Sequence, residues 1–300
     1  MKKRIFSTLF FVISVLVVII LARDCRGSRD AVNPDDRPTL YVSIYPLKYL
    51  IDEISGHKFD VRVLVPTGAS PETYEPTPRQ IKELNDAPLI FTTGLIDFER
   101  ELVGRLTANS RHIMTVVDLS EGVELLEGHC GHDGHSHSHG IDPHIWSSPR
   151  RLAVMAGTVC GSLALLSPVD SSPFAANLRT LLAKIDSLDR WIGERIASMP
   201  ENGRGFVIYH PALTYYAADY GLTQTAIEQE GKEPSAEQLK ELIKQARAQG
   251  IKTVLYQKEF SASVVETVAA DIGARAVEID PLAEDIPANL RRITEHITGR

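Results

Sequence analysis

Cysteine is scarce. Cys25, Cys130 and Cys160 are the only three in 300 residues, too few for the disulfide framework of a small secreted scaffold. Positive charge is not in excess either. Lys and Arg number 32 against 39 Asp and Glu, a formal charge of −7, which leaves a nucleic-acid partner without electrostatic support. Beyond one run near the amino terminus, the chain has no long apolar stretches of the kind that build a polytopic membrane protein. With 43% hydrophobic and 24% charged residues it also lies outside the disordered and collagen-like classes. No H-E-x-x-H helix occurs, and no general base stands out, so a secreted zinc hydrolase is the weaker of the functional classes weighed below.

What is present begins with an address. Lys2, Lys3 and Arg4 precede an uncharged, mostly apolar run over residues 5–22, followed by Arg23 and Asp24. A basic head and an apolar stretch mark export. Eighteen residues also suffice for an uncleaved membrane anchor. Cys25 stands where a bacterial lipoprotein would carry its lipid, although Leu21-Ala22-Arg23-Asp24 departs from the small residues usual before it. Residues 1–24 are thus expected to be a signal or anchor, and 25–37 a flexible polar stalk.

Short β-rich runs then alternate with helical patterns. Strands are expected near 39–44, 61–65, 88–93 and 112–117, and again near 205–209, 222–227, 252–256 and 275–279. That alternation predicts an α/β chain whose two lobes contain mostly parallel sheets. Between the groups, Phe174, Leu178, Leu181, Ile185, Leu188, Ile192, Ile196 and Met199 recur at intervals of three and four. Pro173 suits a first helical turn and Pro200 a stop, so residues 172–200 are expected to form one spine helix. It would join an N-terminal lobe (38–171) to a C-terminal lobe (201–300). A preceding helix is expected from Pro149, capped by Ser148, to about Leu166, with Cys160 buried in it.

Six of the ten histidines, His129, His132, His135, His137, His139 and His144, fall within residues 129–144. Glycine and serine separate them, and 128–140 offers nothing to a core, so it reads as a mobile loop holding a secondary metal site. Four further positions share a topological feature. Glu72 lies in the loop after strand 61–65, His210 and Asp280 immediately follow strands, and His144 closes the histidine-rich segment. Ligands of open α/β sheets sit beyond the carboxyl ends of strands, so these four side chains are candidates for a site between the lobes. Two imidazoles and two carboxylates neutralise a divalent cation and suit Zn²⁺, with Mn²⁺ and Fe²⁺ also open. Glu75, in the same loop as Glu72, is the alternative donor there.

Four ordered segments resemble the metal-binding proteins of bacterial zinc and manganese ABC importers. Pro66-Thr67-Gly68-Ala69-Ser70-Pro71-Glu72-Thr73-Tyr74-Glu75-Pro76-Thr77-Pro78 is similar to their first-ligand loop. Asp142-Pro143-His144-Ile145-Trp146 and Tyr209-His210-Pro211 are similar to the second- and third-ligand segments, and Ile279-Asp280-Pro281-Leu282 to the fourth. Glu233-Pro234-Ser235 is similar to an element before a C-lobe helix, where Ser235 and Gln238 form a capping box. The resemblance implies two lobes with the metal in the cleft between them, and Glu72, His144, His210 and Asp280 as ligands. Glu72 departs from the histidine that most members carry. The resemblance further implies an exported, membrane-tethered, monomeric carrier that captures Zn²⁺, or Mn²⁺, and delivers it to an ABC permease. Such a carrier is not an enzyme, and a metal-binding surface adhesin or sensor on the same scaffold is its alternative.

Overall fold

The computed structural model describes residues 37–109, 114–129, 138–228, 232–260 and 262–299. The expected signal, stalk and Cys25 lie outside them, except for Arg37, as does the greater part of the histidine-rich stretch. Among the described residues no helix is long and apolar enough to cross a membrane.

The N-terminal lobe runs β1 (Thr39–Val42), α1 (Tyr45–Ser55), β2 (Asp60–Val63), α2 (Pro78–Leu84), β3 (Leu89–Thr92), α3 (Asp97–Asn109) and β4 (Thr115–Asp118). Its four strands pair in parallel in the order β2-β1-β3-β4. After β5 (Glu127–His129), β6 (Ser138–Ile141) and a 3₁₀ turn (Ile145–Ser147) come α4 (Pro149–Leu166) and α5 (Ser171–Ala197). The C-terminal lobe repeats the alternation with β7 (Gly205–Ile208), α6 (Thr214–Tyr220), β8 (Thr223–Ala226), α7 (Ala236–Ala248), β9 (Thr253–Gln257), α8 (Ala262–Ile272), β10 (Arg275–Ile279) and α9 (Ile286–Thr298). Its parallel order is β10-β9-β7-β8. In each sheet the order reverses between two central strands, β1 and β3 or β7 and β9, which opens a crevice at their carboxyl ends.

Strand β7 illustrates why the central strands read as continuous apolar runs. All four residues are buried because both faces are covered. Phe206 and Ile208 join the large core that continues into the N-terminal lobe. Val207 enters a second core with Val254, Leu242 and Val268, between the sheet and helices α7 and α8.

The spine is continuous. Helix α5 holds 27 residues, about 40 Å, and buries Phe174, Leu181, Ile185, Leu188, Ile192 and Ile196 along one stripe. Pro173 sits in its first turn, where backbone N–H groups lack intrahelical partners anyway. Its amino-terminal half belongs to the first lobe: Phe174 meets the Phe59 ring at 6.4 Å, and Asn177 Nδ2 donates to Ile54 O at 3.0 Å. Its carboxyl-terminal half belongs to the second, where Tyr220 donates to Asp189 Oδ1 at 2.7 Å and the Arg291 guanidinium covers Trp191 at 4.7 Å. Helix α4 packs alongside. Ser148 caps it, accepting from Arg151 N at 3.2 Å, and Cys160 is a free, buried thiol within it.

One segment departs from expectation. Residues 128–140 were expected to form a loop throughout, yet β5 and β6 pair antiparallel, Glu127 opposite Ile141 and His129 opposite Ser138. Backbone pairing needs no apolar side chains, and the buried Tyr215 hydroxyl clamps the base of the pair. It accepts from Leu126 N at 3.1 Å and donates to Asp142 O at 2.8 Å.

Leu188, only 1% exposed, lies near the middle of α5. Leu188→Ala is expected to lower unfolding stability by about 2–5 kcal/mol. Urea denaturation would register this as a lower midpoint with an unchanged slope.

Candidate metal centre

Glu72 is carried by the loop between β2 and α2, and that loop is tied down at its far end. Thr77 and Gln80 form a capping box at the start of α2, with Pro78 in the first turn. Gln80 does more than cap. Its Oε1 accepts from Tyr74 Oη at 2.8 Å, and its Nε2 donates to Leu64 O at 2.9 Å, so one side chain joins both ends of the loop.

His144 is fixed by its own neighbour. Asp142 Oδ1 accepts from the His144 backbone N–H at 2.8 Å and from its ring Nδ1 at 2.9 Å. Both residues are buried. That bond makes Nδ1 the protonated nitrogen and turns the Nε2 lone pair outward. The Trp146 ring lies 5.2 Å from the imidazole, and its Nε1 donates to Pro281 O in the other lobe at 2.9 Å.

His210 stands two residues past β7, beside the crevice. Tyr209 continues the ladder by donating to Leu255 O at 2.9 Å, and Gln257 Nε2 donates to His210 O at 2.9 Å. Its ring Nδ1 meets Glu228 Oε1 at 3.1 Å, and Phe260 stacks on the imidazole at 5.9 Å.

These three supports bring the donors together. His210 Nε2 lies 2.9 Å from Glu72 Oε1 and 3.4 Å from His144 Nε2. All three donor atoms fall within 4.8 Å of one another, the one such group of three or more metal-donating side chains among the described residues. They line a cavity of about 40 Å³ between the lobes, walled by Trp146, Phe260 and Leu282. Glu75 is exposed and stands apart from the group. Asp280 lines the same cavity, but its carboxylate is engaged elsewhere: Oδ1 accepts from Leu282 N at 3.0 Å and Oδ2 lies 3.8 Å from Lys258 Nζ. His132, His135 and His137 lie outside the described residues, while the backbones of His129 and His139 belong to β5 and β6.

Glu228 escaped the sequence reading. It is 7% exposed and follows β8 by two residues, the same strand-end position that drew attention to His210 and Asp280. Asp142 was noted only as part of a motif. Together they give each imidazole a carboxylate on Nδ1, the arrangement that orients metal-ligating histidines and raises their basicity.

Charge pairing shifts the titration of the group. Burial pulls the His210 pKa down, but hydrogen bonds and charge from Glu228 and Glu72 prevail and raise it to about 10. Burial pushes Glu72 up, and the His210 hydrogen bond and charge overcome it, leaving the carboxyl below its usual range. Asp142 follows the same logic: burial raises it, while the charge and hydrogen bond of His144 lower it further. Two nitrogens and one oxygen, with the imidazoles buried or nearly so and Glu72 on the exposed side, can hold a divalent cation.

Residues 40–297 match the family described as zinc-uptake complex component A, periplasmic, or ZnuA. The chain belongs to this family. It is 27% identical over 298 residues to the zinc-binding protein AdcA of Streptococcus pyogenes, covering 94% of this chain and 56% of that protein. The chain thus spans little more than half the length of that relative. The high-affinity zinc uptake system protein ZnuA of Bacillus subtilis is 27% identical over 285 residues, with 91% of this chain and 87% of the relative covered. A crystal structure of ZnuA superposes with a TM-score of 0.80 at 36% identity, covering 88% of this chain and 99% of the other. The two-lobed architecture with parallel sheets and a long connecting helix is therefore that of the ZnuA family.

Two outcomes follow from the geometry. A cation that takes His210 Nε2 displaces its proton, because the imidazole is protonated below its pKa of about 10. Apparent affinity is therefore expected to rise by about tenfold per pH unit between pH 6.5 and 8.5, with about one proton released per ion. Calorimetry in two buffers of different ionisation heat measures this, and zero release would contradict it. Glu228→Ala is expected to weaken divalent-cation binding by about 10–100-fold, and Glu228→Gln by less, since the amide oxygen still accepts from Nδ1. The comparison is made by chelator competition at several pH values, because removing Glu228 also removes one cause of the raised His210 pKa.

Proposed function

We propose that this chain is an extracytoplasmic solute-binding protein that captures Zn²⁺, with Mn²⁺ as the second candidate, and delivers it to the permease of an ABC importer. One observation carries the reading: Glu72, His144 and His210 present three donor atoms within 4.8 Å at the junction of two lobes. Two imidazole nitrogens and a carboxylate oxygen suit Zn²⁺, and Asp280 completes a four-ligand shell once Oδ2 turns from Lys258. A carboxylate at position 72 makes the set harder than three imidazoles, which keeps Mn²⁺ within reach. The zinc-binding and zinc-uptake relatives support the same cargo.

A carrier fits better than an enzyme. Asp142 and Glu228, the carboxylates beside the imidazoles, are each engaged by a ring nitrogen, so neither is placed to activate a water. The histidine-rich stretch, with His129, His132, His135, His137 and His139, would be a secondary site that collects ions at the cleft. Residues 38–171 and 201–300 act as the two lobes, and residues 172–200 limit their motion to small tilts. The protein works as a monomer, tethered to the membrane through residues 1–37. Release follows when the permease draws the lobes apart and separates Glu72 and His144 from His210.

The test is elemental analysis of untagged protein, followed by chelator competition on variants. His144→Ala and His210→Ala are each expected to weaken Zn²⁺ binding by about 100-fold or more, and Glu72→Ala by less, because water partly replaces a loop carboxylate. Deletion of residues 130–137, between the two paired strands, should remove weak equivalents and retain one tight site. Unchanged affinity in both histidine variants would end the proposal.

A further inference from the structure

Asp280 stands at the wall shared by two neighbouring cavities. One is the space around Glu72, His144 and His210, and the other, about 180 Å³, opens between Thr67 and Gly68 of the first lobe and Glu284 of the second. Glu259 and Leu282 line both cavities with Asp280. The Asp280 side chain is 40% exposed and its Oδ2 faces Lys258, whose side chain is 37% exposed and whose Nζ is 3.8 Å away.

The backbone at Lys258 is anchored by its neighbours in the chain. Lys258 follows Gln257, the last residue of β9, whose amide grips the His210 backbone at 2.9 Å. Two residues later Phe260 stacks on the His210 ring. The Lys258 stem reaches across to the loop that bears Glu72: a Cβ added to Gly68 would stand 3.7 Å from its Cε. A cationic side chain from the second lobe thus lies at the mouth of the site, beside the first lobe.

We propose that Lys258 is a resident cation that draws Asp280 away from the donor group and competes with the bound metal for its carboxylate. This inference rests on the metal-carrier reading given above. When Zn²⁺ recruits Asp280 Oδ2, Lys258 loses its partner and remains as a positive charge beside a divalent one. Return of the carboxylate to Lys258 relieves that repulsion. Lys258 therefore shortens the lifetime of the bound ion and limits affinity, which a carrier that must surrender its cargo requires.

The experiment measures Zn²⁺ affinity by chelator competition, and dissociation by stopped flow into excess chelator, for wild type, Lys258→Met, Lys258→Arg and Asp280→Asn, and for the Lys258→Met/Asp280→Asn double variant. Methionine keeps an unbranched stem against Gly68 and removes only the charge. Lys258→Met is expected to bind about three- to tenfold more tightly, chiefly through slower dissociation, and Lys258→Arg to stay close to wild type. In the Asp280→Asn background the gain should vanish. Equal or weaker binding by Lys258→Met than by a tightly binding wild type would overturn the inference and leave the carrier reading intact. A gain that persists without the Asp280 carboxylate would overturn the competition mechanism. A wild-type protein without tight Zn²⁺ would overturn the carrier reading and this inference together.

Discussion

Two imidazoles from different lobes face each other at 3.4 Å, and everything else about the site depends on the lobes being held at that spacing. Helix α5 supplies the frame, because one rigid rod packs against both halves. Shorter ties near the cleft set the final ångström. Trp146 donates to Pro281, Tyr215 bridges Leu126 and Asp142, and the Arg151 guanidinium pairs with Asp219 where both are buried. A buried ion pair contributes little net stability but resists rearrangement, since separating it would strand two desolvated charges. The junction is therefore suited to holding donors in register rather than to wide hinge motion.

The chemistry of the site follows from carboxylates placed around imidazoles. Asp142 and Glu228 each claim one ring nitrogen and leave the other to converge with Glu72. A side chain oriented in this way loses little rotamer freedom when it ligates, so binding energy is not spent on ordering it. Glu228 and Glu72 together raise the proton affinity of His210, which makes protons real competitors for the metal. Lys258 adds a second competitor, an internal cation, at the one donor that stands outside the converged group. Affinity in such a site is a balance of three positive species for a small set of lone pairs.

Much of this was legible in the chain itself, and the reasons are local. The stripe of Phe174, Leu181, Ile185 and Leu188 declares a helix because spacing alone decides which side chains share a face. Ser148 and Ser235 announce helix starts because a cap is satisfied within three residues. Glu72, His144, His210 and Asp280 were singled out as strand-end or motif residues, and three of them do meet. The β5–β6 pair was not legible, since two short polar segments that pair through their backbones and rest on the Tyr215 hydroxyl leave no side-chain pattern in the chain. Glu228 was passed over for a similar reason: a lone carboxylate acquires meaning only from the ring it faces.

What the sequence determined by itself were the strands of the two parallel sheets, the helices α4 and α5, and a set of candidate donors. Those depend on periodicity, capping and side-chain type within a few neighbouring positions. What only the tertiary structure decided was which donors converge. Glu72 and His144 reach His210 across gaps of 138 and 66 residues, while Asp280 is turned toward Lys258 instead. Contacts over such separations are set by how two lobes pack on one helix, where a shift of an ångström exchanges one partner for another and leaves every local pattern unchanged.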